Sequence, residues 1–204
     1  VTIKDTTPPV IIAPGAIVAE QQTPNGTAVN LGIPFVWDAC DANPLVVNNA
    51  PGVFPLGLTI VTWTAIDASG NWATDVQAVN IVDTTPPAIQ IGDVVAEQTN
   101  RAGTPVFLGI PNVSDNCDIA PNVANNGLAV YPLGVTLVVW TAVDFSGNVG
   151  VWVQQVTVRD RRPPTIVAPA AKRVEQTNRN GTPVALGAPV VADICDANPV
   201  VTND

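Results

Sequence analysis

Histidine and methionine are both missing from this chain of 204 residues. Without histidine the commonest general base and metal ligand is gone. Tyrosine occurs once, and no Ser or Cys nucleophile has a plausible base beside it, so an enzyme is not expected. Charge is sparse as well. Charged residues make up 12% of the chain, about half the usual share near 25%. Only 8 basic side chains oppose 17 acidic ones, for a formal net charge of -9. Nucleic acid and anionic membrane surfaces reward the opposite sign and are not expected as partners. No apolar run reaches the roughly 18 residues of a membrane helix, so no membrane span is expected. Disorder is excluded in turn, because 47% of residues are hydrophobic. A first residue other than Met suggests a mature or excised segment.

The chain does contain a repeat. Asp5-Thr6-Thr7-Pro8-Pro9 returns as Asp83-Thr84-Thr85-Pro86-Pro87 and, altered, as Asp160-Arg161-Arg162-Pro163-Pro164. The three cysteines follow the same period in Asp38-Ala39-Cys40-Asp41, Asp115-Asn116-Cys117-Asp118 and Asp193-Ile194-Cys195-Asp196. Glu20-Gln21, Glu97-Gln98 and Glu175-Gln176 precede Gly turns, and Asp-x-Ser-Gly-Asn occurs at 67–71 and 144–148. A period of this length suits a small domain rather than a solenoid unit. The expected organisation is residues 1–4 as the last strand of a preceding repeat, 5–82 as repeat 1, 83–159 as repeat 2 and 160–204 as the N-terminal part of repeat 3. Such a chain reads as a window cut from a longer repetitive protein.

Strand signals dominate. In Thr59–Asp67, Val61, Trp63 and Ala65 alternate with Thr62 and Thr64, and Thr136–Asp144 repeats the pattern with Val138, Trp140 and Ala142. Gln77–Val82 and Gln154–Arg159 read as strands after the Ser-Gly-Asn turns. Pro occurs 20 times and Gly 15 times, and no segment carries a helical period. The expected fold is all-β: tandem immunoglobulin-like antiparallel β-sandwiches with Trp63 and Trp140 in the cores.

The Asp-x-x-Pro-Pro start, the Phe/Tyr-Pro-Leu-Gly-x-Thr turn, the Thr-Trp-Thr-Ala-x-Asp strand and the Asp-x-Ser-Gly-Asn loop together resemble the hyalin repeat (HYR) domain. The resemblance covers both whole repeats and the start of the third. It implies an immunoglobulin-like sandwich in extracellular, often adhesive, multidomain proteins. Many members of the family carry a cysteine pair. This chain has one Cys per repeat, so the family's disulfide cannot be carried over.

Fourteen of the 17 carboxylates hold repeat-locked positions, and only Asp75, Asp93 and Asp204 lie outside the scheme. On an immunoglobulin-like strand order, Asp38, Asp41, Asp67 and Asn71 share the end of the domain entered by the linker Asp5. Glu20 lies at the opposite end. One junction would then gather Glu20 and Asp83 with Asp115, Asp118, Asp144 and Asn148. Glu97, Asp160, Asp193 and Asp196 stand in the same places one repeat later. The layout is similar to the calcium sites between cadherin domains. Like charges 4–6 Å apart repel by roughly 3–4 kcal/mol at an effective dielectric near 20. Residues 1–158 offer only Lys4 and Arg101 against 12 acids. Ca²⁺, a hard ion with six to eight oxygen ligands, is therefore the expected cofactor. Ordinary Asp and Asn turn chemistry is the competing reading. At the third motif Arg161 and Arg162 replace two Thr residues, and their pairing with Asp193 or Asp196 would oppose calcium there.

Equivalent cysteines one domain apart cannot reach the roughly 7 Å that a disulfide needs, so pairing within the chain is excluded. Cross-links between chains stay open. Asn25, Asn112 and Asn180 begin N-glycosylation sequons, two of which already read as Asn-Gly turns. Ile60, Ile66, Leu137, Val139 and Val143 face away from the Trp side, and Trp37, Trp72 and Trp152 have no counterparts in the other repeats. Lateral packing in a fibre and simple strand coverage explain them equally.

The function expected is a non-catalytic structural protein: a calcium-stiffened array in an extracellular filament, stalk or adhesin. Its partners would be other copies of itself, head to tail or side by side in a fibril. The alternative is a carbohydrate- or ligand-binding spacer module of a larger secreted enzyme or receptor.

Overall fold

Two runs of six strands appear in the same order and at the same lengths. A computed structural model describes residues 1–202; Asp204 and its neighbour lie outside the described residues. The first run is β1 (Val10–Ile12), β2 (Ile17–Glu20), β3 (Phe35–Trp37), β4 (Leu45–Asn48), β5 (Gly57–Ile66) and β6 (Trp72–Val82). The second is β7 (Ala88–Gln90), β8 (Val94–Glu97), β9 (Asn112–Ser114), β10 (Asn122–Asn125), β11 (Gly134–Val143) and β12 (Val149–Arg159). A final pair, β13 (Thr165–Val167) and β14 (Val190–Ala192), matches β1 and β3. Val1–Lys4, like the end of β6 in sequence, form no strand.

In the first run, β1 pairs with β3, and a four-stranded sheet takes the order β2-β6-β5-β4. The two sheets close on Ile11, Phe54, Val61, Trp63, Ala65, Val79 and Ile81. The expected alternation holds: Val61, Trp63 and Ala65 are buried, as are Val138, Trp140 and Ala142. Of the residues on the other face, Ile60 and Leu137 are exposed, while Ile66, Val139 and Val143 are half-buried. The second run repeats the sheets as β7-β9 and β10-β11-β12-β8.

Two details differ from the sequence expectation. Strands β6 and β12 begin at Trp72 and Val149, directly after the Ser-Gly-Asn turns, because a tight hairpin resumes pairing at once. Each run also has a parallel pair: β2 runs parallel to β6, with Ile17 opposite Val79, and β8 parallel to β12, with Val94 opposite Val156. Strand β1 leaves its sheet at Ala13-Pro14-Gly15, where Pro14 offers no N–H to a ladder. The chain then joins the other sheet beside its last strand without reversing.

By internal packing the chain divides into two compact units. One holds Val1–Ile89 with Val113–Val123 and Thr141–Val151, and the other holds Gln90–Asn112, Ala124–Trp140 and the remainder from Trp152. Among the described residues no helix is long and apolar enough to cross a membrane.

Candidate functional site

The β5–β6 turn builds one side of the first acidic cluster. Asp67 N donates to Asn71 O at 3.0 Å, and Gly70 takes φ 87°, a region that favours glycine. The Asp67 carboxylate accepts the Asn71 backbone N–H at 2.8 Å and its side-chain amide at 2.7 Å. Asn71 Nδ2 also donates to the Asp5 carbonyl at 3.3 Å, tying this turn to the incoming linker. Asn148 repeats each bond to Asp144 and to the Asp83 carbonyl. Burial pushes the Asp67 and Asp144 carboxyls up, but these hydrogen bonds together outweigh it and hold both below the usual carboxylate range.

The Cys-containing loop builds the other side. Asp38 Oδ1 accepts the N–H groups of Cys40 and Asp41 at 2.9 and 2.8 Å, an Asx turn that aims the carboxylate inward. Asp115 does the same with Cys117 and Asp118, and Asp193 with Cys195 and Asp196. The linker Asp completes each group. Ligating atoms of Asp5, Asp38 and Asp67 lie within 4.8 Å of one another, as do those of Asp83, Asp115 and Cys117, and of Asp160, Asp193 and Cys195.

The cysteines therefore sit inside the acidic clusters, a placement the repeat alone did not reveal. Burial, then Asp83, Asp115 and Glu20, push the Cys117 thiol up to about 11. Asp5, followed by burial, raises Cys40, and burial followed by Asp160 raises Cys195. All three are free thiols.

The other candidate ligands are placed differently. Glu20 accepts Thr84 N at 2.7 Å, Thr84 Oγ1 at 3.0 Å and Thr85 Oγ1 at 2.9 Å. The Thr84 N–H is the main cause of its lowered pKa. Glu97 accepts the Arg161 N–H, where no Thr hydroxyl is available. Asp41, Asp118 and Asp196 use a carboxylate oxygen on the N–H of Asn43, Ala120 and Asn198, and Asp41 also accepts Ala68 N. In this geometry these three shape loops beside the tight clusters. Asn71 and Asn148 turn their NH₂ groups towards them.

The arginine expectation changes. Among the described residues no ion pair joins Arg161 or Arg162 to Asp193 or Asp196. Instead Arg101 donates to the backbone carbonyls of Asp193, Cys195 and Asp196 at 3.3, 3.2 and 2.9 Å. It arrives from the Gly turn after Glu97-Gln98, a long-range approach that the local sequence gives no sign of.

Among the described residues, four buried side-chain oxygens have no hydrogen-bond partner: Gln21 Oε1, Asp115 Oδ2, Asn116 Oδ1 and Gln98 Oε1. All are acceptors. Three belong to the surroundings of Asp83, where Asn116 Nδ2 and Cys117 Sγ both approach the Gln21 carbonyl, at 2.8 and 3.5 Å. Buried acceptors left without a donor are rare and suit a cation. Gln21 and Gln98 stood in the repeated Glu-Gln motif, but only the Glu had an evident chemistry.

Residues 4–81 match the HYR domain family. The chain is similar to hyalin of Lytechinus variegatus, 36% identical over 197 residues, covering 88% of this chain and 36% of that protein. Against hyalin of Strongylocentrotus purpuratus it is 31% identical over 208 residues, covering 95% of this chain and 17% of that protein. The chain thus spans about a third or less of the length of these relatives. Among solved structures, Drosophila N-cadherin EC1-4 aligns with a TM-score of 0.41 at 13% identity, covering 76% of this chain and 50% of that one. Human protocadherin-24 EC1-2 aligns with a TM-score of 0.36 at 12% identity, over 76% of this chain and all of that one.

Proposed function

The chain belongs to the hyalin repeat (HYR) family, and on that premise we propose that it is a non-catalytic, extracellular adhesion-type module whose repeats are stiffened by Ca²⁺. The repeats would follow the sequence period, from Asp5 to Asp83 to Asp160, with domains at 5–82 and 83–159 and the start of a third at 160–204, assembling with further copies into a stalk or filament. One observation carries the reading. A linker Asp and a loop Asp come within 4.8 Å of each other, and of a third ligating side chain, in every repeat. Carboxylates that close repel by about 3–4 kcal/mol per pair at an effective dielectric near 20. Lys4 and Arg101 are the only cations before residue 159, so a divalent ion is the available compensation.

The donor set fits a hard cation. Asp115 Oδ2 is buried without a partner, and in the first cluster the linker, loop and turn supply carboxylate oxygens from three separate segments, as an irregular Ca²⁺ shell requires. The residues proposed to hold it are Asp5, Asp38 and Asp67 in the first cluster, Asp83, Asp115 and Asp144 in the second, and Asp160 and Asp193 in the third. Glu20 and Glu97 orient the linkers. Bound Ca²⁺ would neutralise the cluster and cross-link linker to loops. Asn71 and Asn148 already hold linker and turn together through the Asp5 and Asp83 carbonyls.

Thermal unfolding of the full chain with Ca²⁺, and then with excess EGTA, tests the proposal. A ligand at 100 times its Kd adds about 2.7 kcal/mol. A rise in Tm that Mg²⁺ does not reproduce, with a stiffer chain in small-angle scattering, supports it. Equal Tm with and without Ca²⁺ would sink it. In that case the exposed Trp37, Trp72 and Trp152 favour the second reading, a carbohydrate- or ligand-binding module.

A further inference from the structure

We propose that the cluster around Asp83 is a higher-affinity calcium site than the one around Asp160, because the side-chain oxygens of both Gln21 and Asn116 serve the first, whereas the second has only that of Gln98 and its loop carbonyls are held by Arg101. The inference rests on the calcium reading above and adds ligands and an order of filling to it.

The two places are built from corresponding residues; beyond the linker, where Arg161 and Arg162 replace Thr84 and Thr85, and the Asp144 turn, which has no counterpart in residues 160–204, two differences bear on a cation. In the Glu-Gln segments, Pro24 of the first corresponds to Arg101 of the second. In the Asp-x-Cys loops, Asn116 corresponds to Ile194. Around Asp83, Gln21 is only 6% exposed, its Nε2 donates to the Thr23 carbonyl at 2.8 Å, and its Oε1 has no partner. Asn116 likewise spends its NH₂ on the Gln21 carbonyl and keeps a buried, unpartnered Oδ1. Gln21, Asp83, Cys117 and Asp118 line one pocket of about 540 Å³. Asp115 and Asn116 line another pocket, and with Asp115 Oδ2 these residues carry three buried oxygens without donors. Water can satisfy such atoms, but water brings no charge to offset Asp83 and Asp115.

Around Asp160 the inventory is shorter. Gln98 Oε1 is again buried and unpartnered, but Ile194 brings no oxygen. The Arg101 guanidinium donates to three carbonyls of the Asp193–Asp196 loop. It places a fixed positive charge near Asp193 and engages three backbone oxygens of that loop. A tethered cation costs no binding from solution, so this loop is held with or without calcium.

The test is a Ca²⁺ titration of the full chain followed by backbone amide NMR, which reads the Asp115–Asp118 and Asp193–Asp196 loops separately. The Asp115–Asp118 amides should saturate at lower Ca²⁺. Gln21→Met and Asn116→Ala should each weaken that midpoint by about ten- to a hundred-fold. Asn116→Asp, which keeps the oxygen and loses the donor, should not weaken it. Arg101→Gln should lower the midpoint at Asp193–Asp196 and leave Asp115–Asp118 unchanged. Both loops saturating together, or unchanged midpoints in Gln21→Met and Asn116→Ala, would overturn the inference and leave the calcium reading standing. Neither loop responding to Ca²⁺ would overturn both.

Discussion

Trp63 Nε1 donates a hydrogen bond to Gln77 Oε1 at 3.1 Å inside the first sandwich. The Gln77 amide donates onward to the Gly15 carbonyl at 2.9 Å and the Leu31 carbonyl at 3.0 Å. One buried side chain thus joins the central strand to two connecting segments. Trp140 and Gln154 repeat the arrangement, with Gly92 and Leu108 as acceptors.

Gln77→Leu keeps the volume and removes every polar partner. Each buried group left unpaired costs about 1–3 kcal/mol, and relaxation recovers part of it. A loss of about 2–4 kcal/mol in urea unfolding is expected. A loss below about 1 kcal/mol would show that water replaces the amide.

Glu20 pins the linker through Thr84 and Thr85. Glu20→Ala should speed hydrogen exchange of the Thr84 amide and expose the 83–86 segment to proteolysis, while Trp63 fluorescence stays native. An unchanged Thr84 exchange rate would contradict this.

Asp75 accepts Ala13 N and Val76 N, both at 2.8 Å, and the Ala13 bond is the leading reason its pKa lies below the usual 3.8. A carboxylate with a depressed folded-state pKa adds stability above its unfolded value and loses it as pH falls through the folded one. Stability measured in EGTA should therefore decline below about pH 4, and Asp75→Asn should flatten part of that decline. Identical acid profiles for the two proteins would refute it.

Cys117, with its thiol near 11, should be alkylated more slowly than a free cysteine at pH 8.5 and gain reactivity only as pH approaches that value. The exposed Cys40 should react first. Mass-spectrometric mapping of iodoacetamide adducts in EGTA gives the order, and early labelling of Cys117 would count against the buried, acid-flanked thiol.

Gly26 has φ 116°, and a Cβ there would stand 2.7 Å from the Phe54 carbonyl oxygen. That carbonyl accepts Thr27 N at 2.9 Å. Gly26→Ala should cost about 1–3 kcal/mol, measured as a lower Tm. A neutral effect would mean that the turn can shift.

Much of the fold was legible because it follows local periods. Val61, Trp63 and Ala65 face inward as their alternation requires, and the Ser-Gly-Asn turns close hairpins where expected. The carboxylate groups were legible only in outline. Asp5, Asp38 and Asp67 carry a repeat signature, but the same signature marks Asp41, which the structure uses in loop hydrogen bonds. Asp75 and Asp93 looked unattached. Each in fact holds a strand, Asp75 through Ala13 N and Asp93 through Gln155 N at 2.8 Å, one contact reaching forward along the chain and the other back.

The repeat, the β class, the buried tryptophan face and the concentration of acid in loops are all written in spacing between near neighbours. Tertiary structure decided the parallel pairing of β2 with β6, the place of each cysteine among the carboxylates, the unpartnered oxygens of Gln21 and Asn116, and the reach of Arg101 to the Asp193–Asp196 loop. These depend on which segments meet after 60 to 96 residues of intervening chain, and no local period encodes such a meeting.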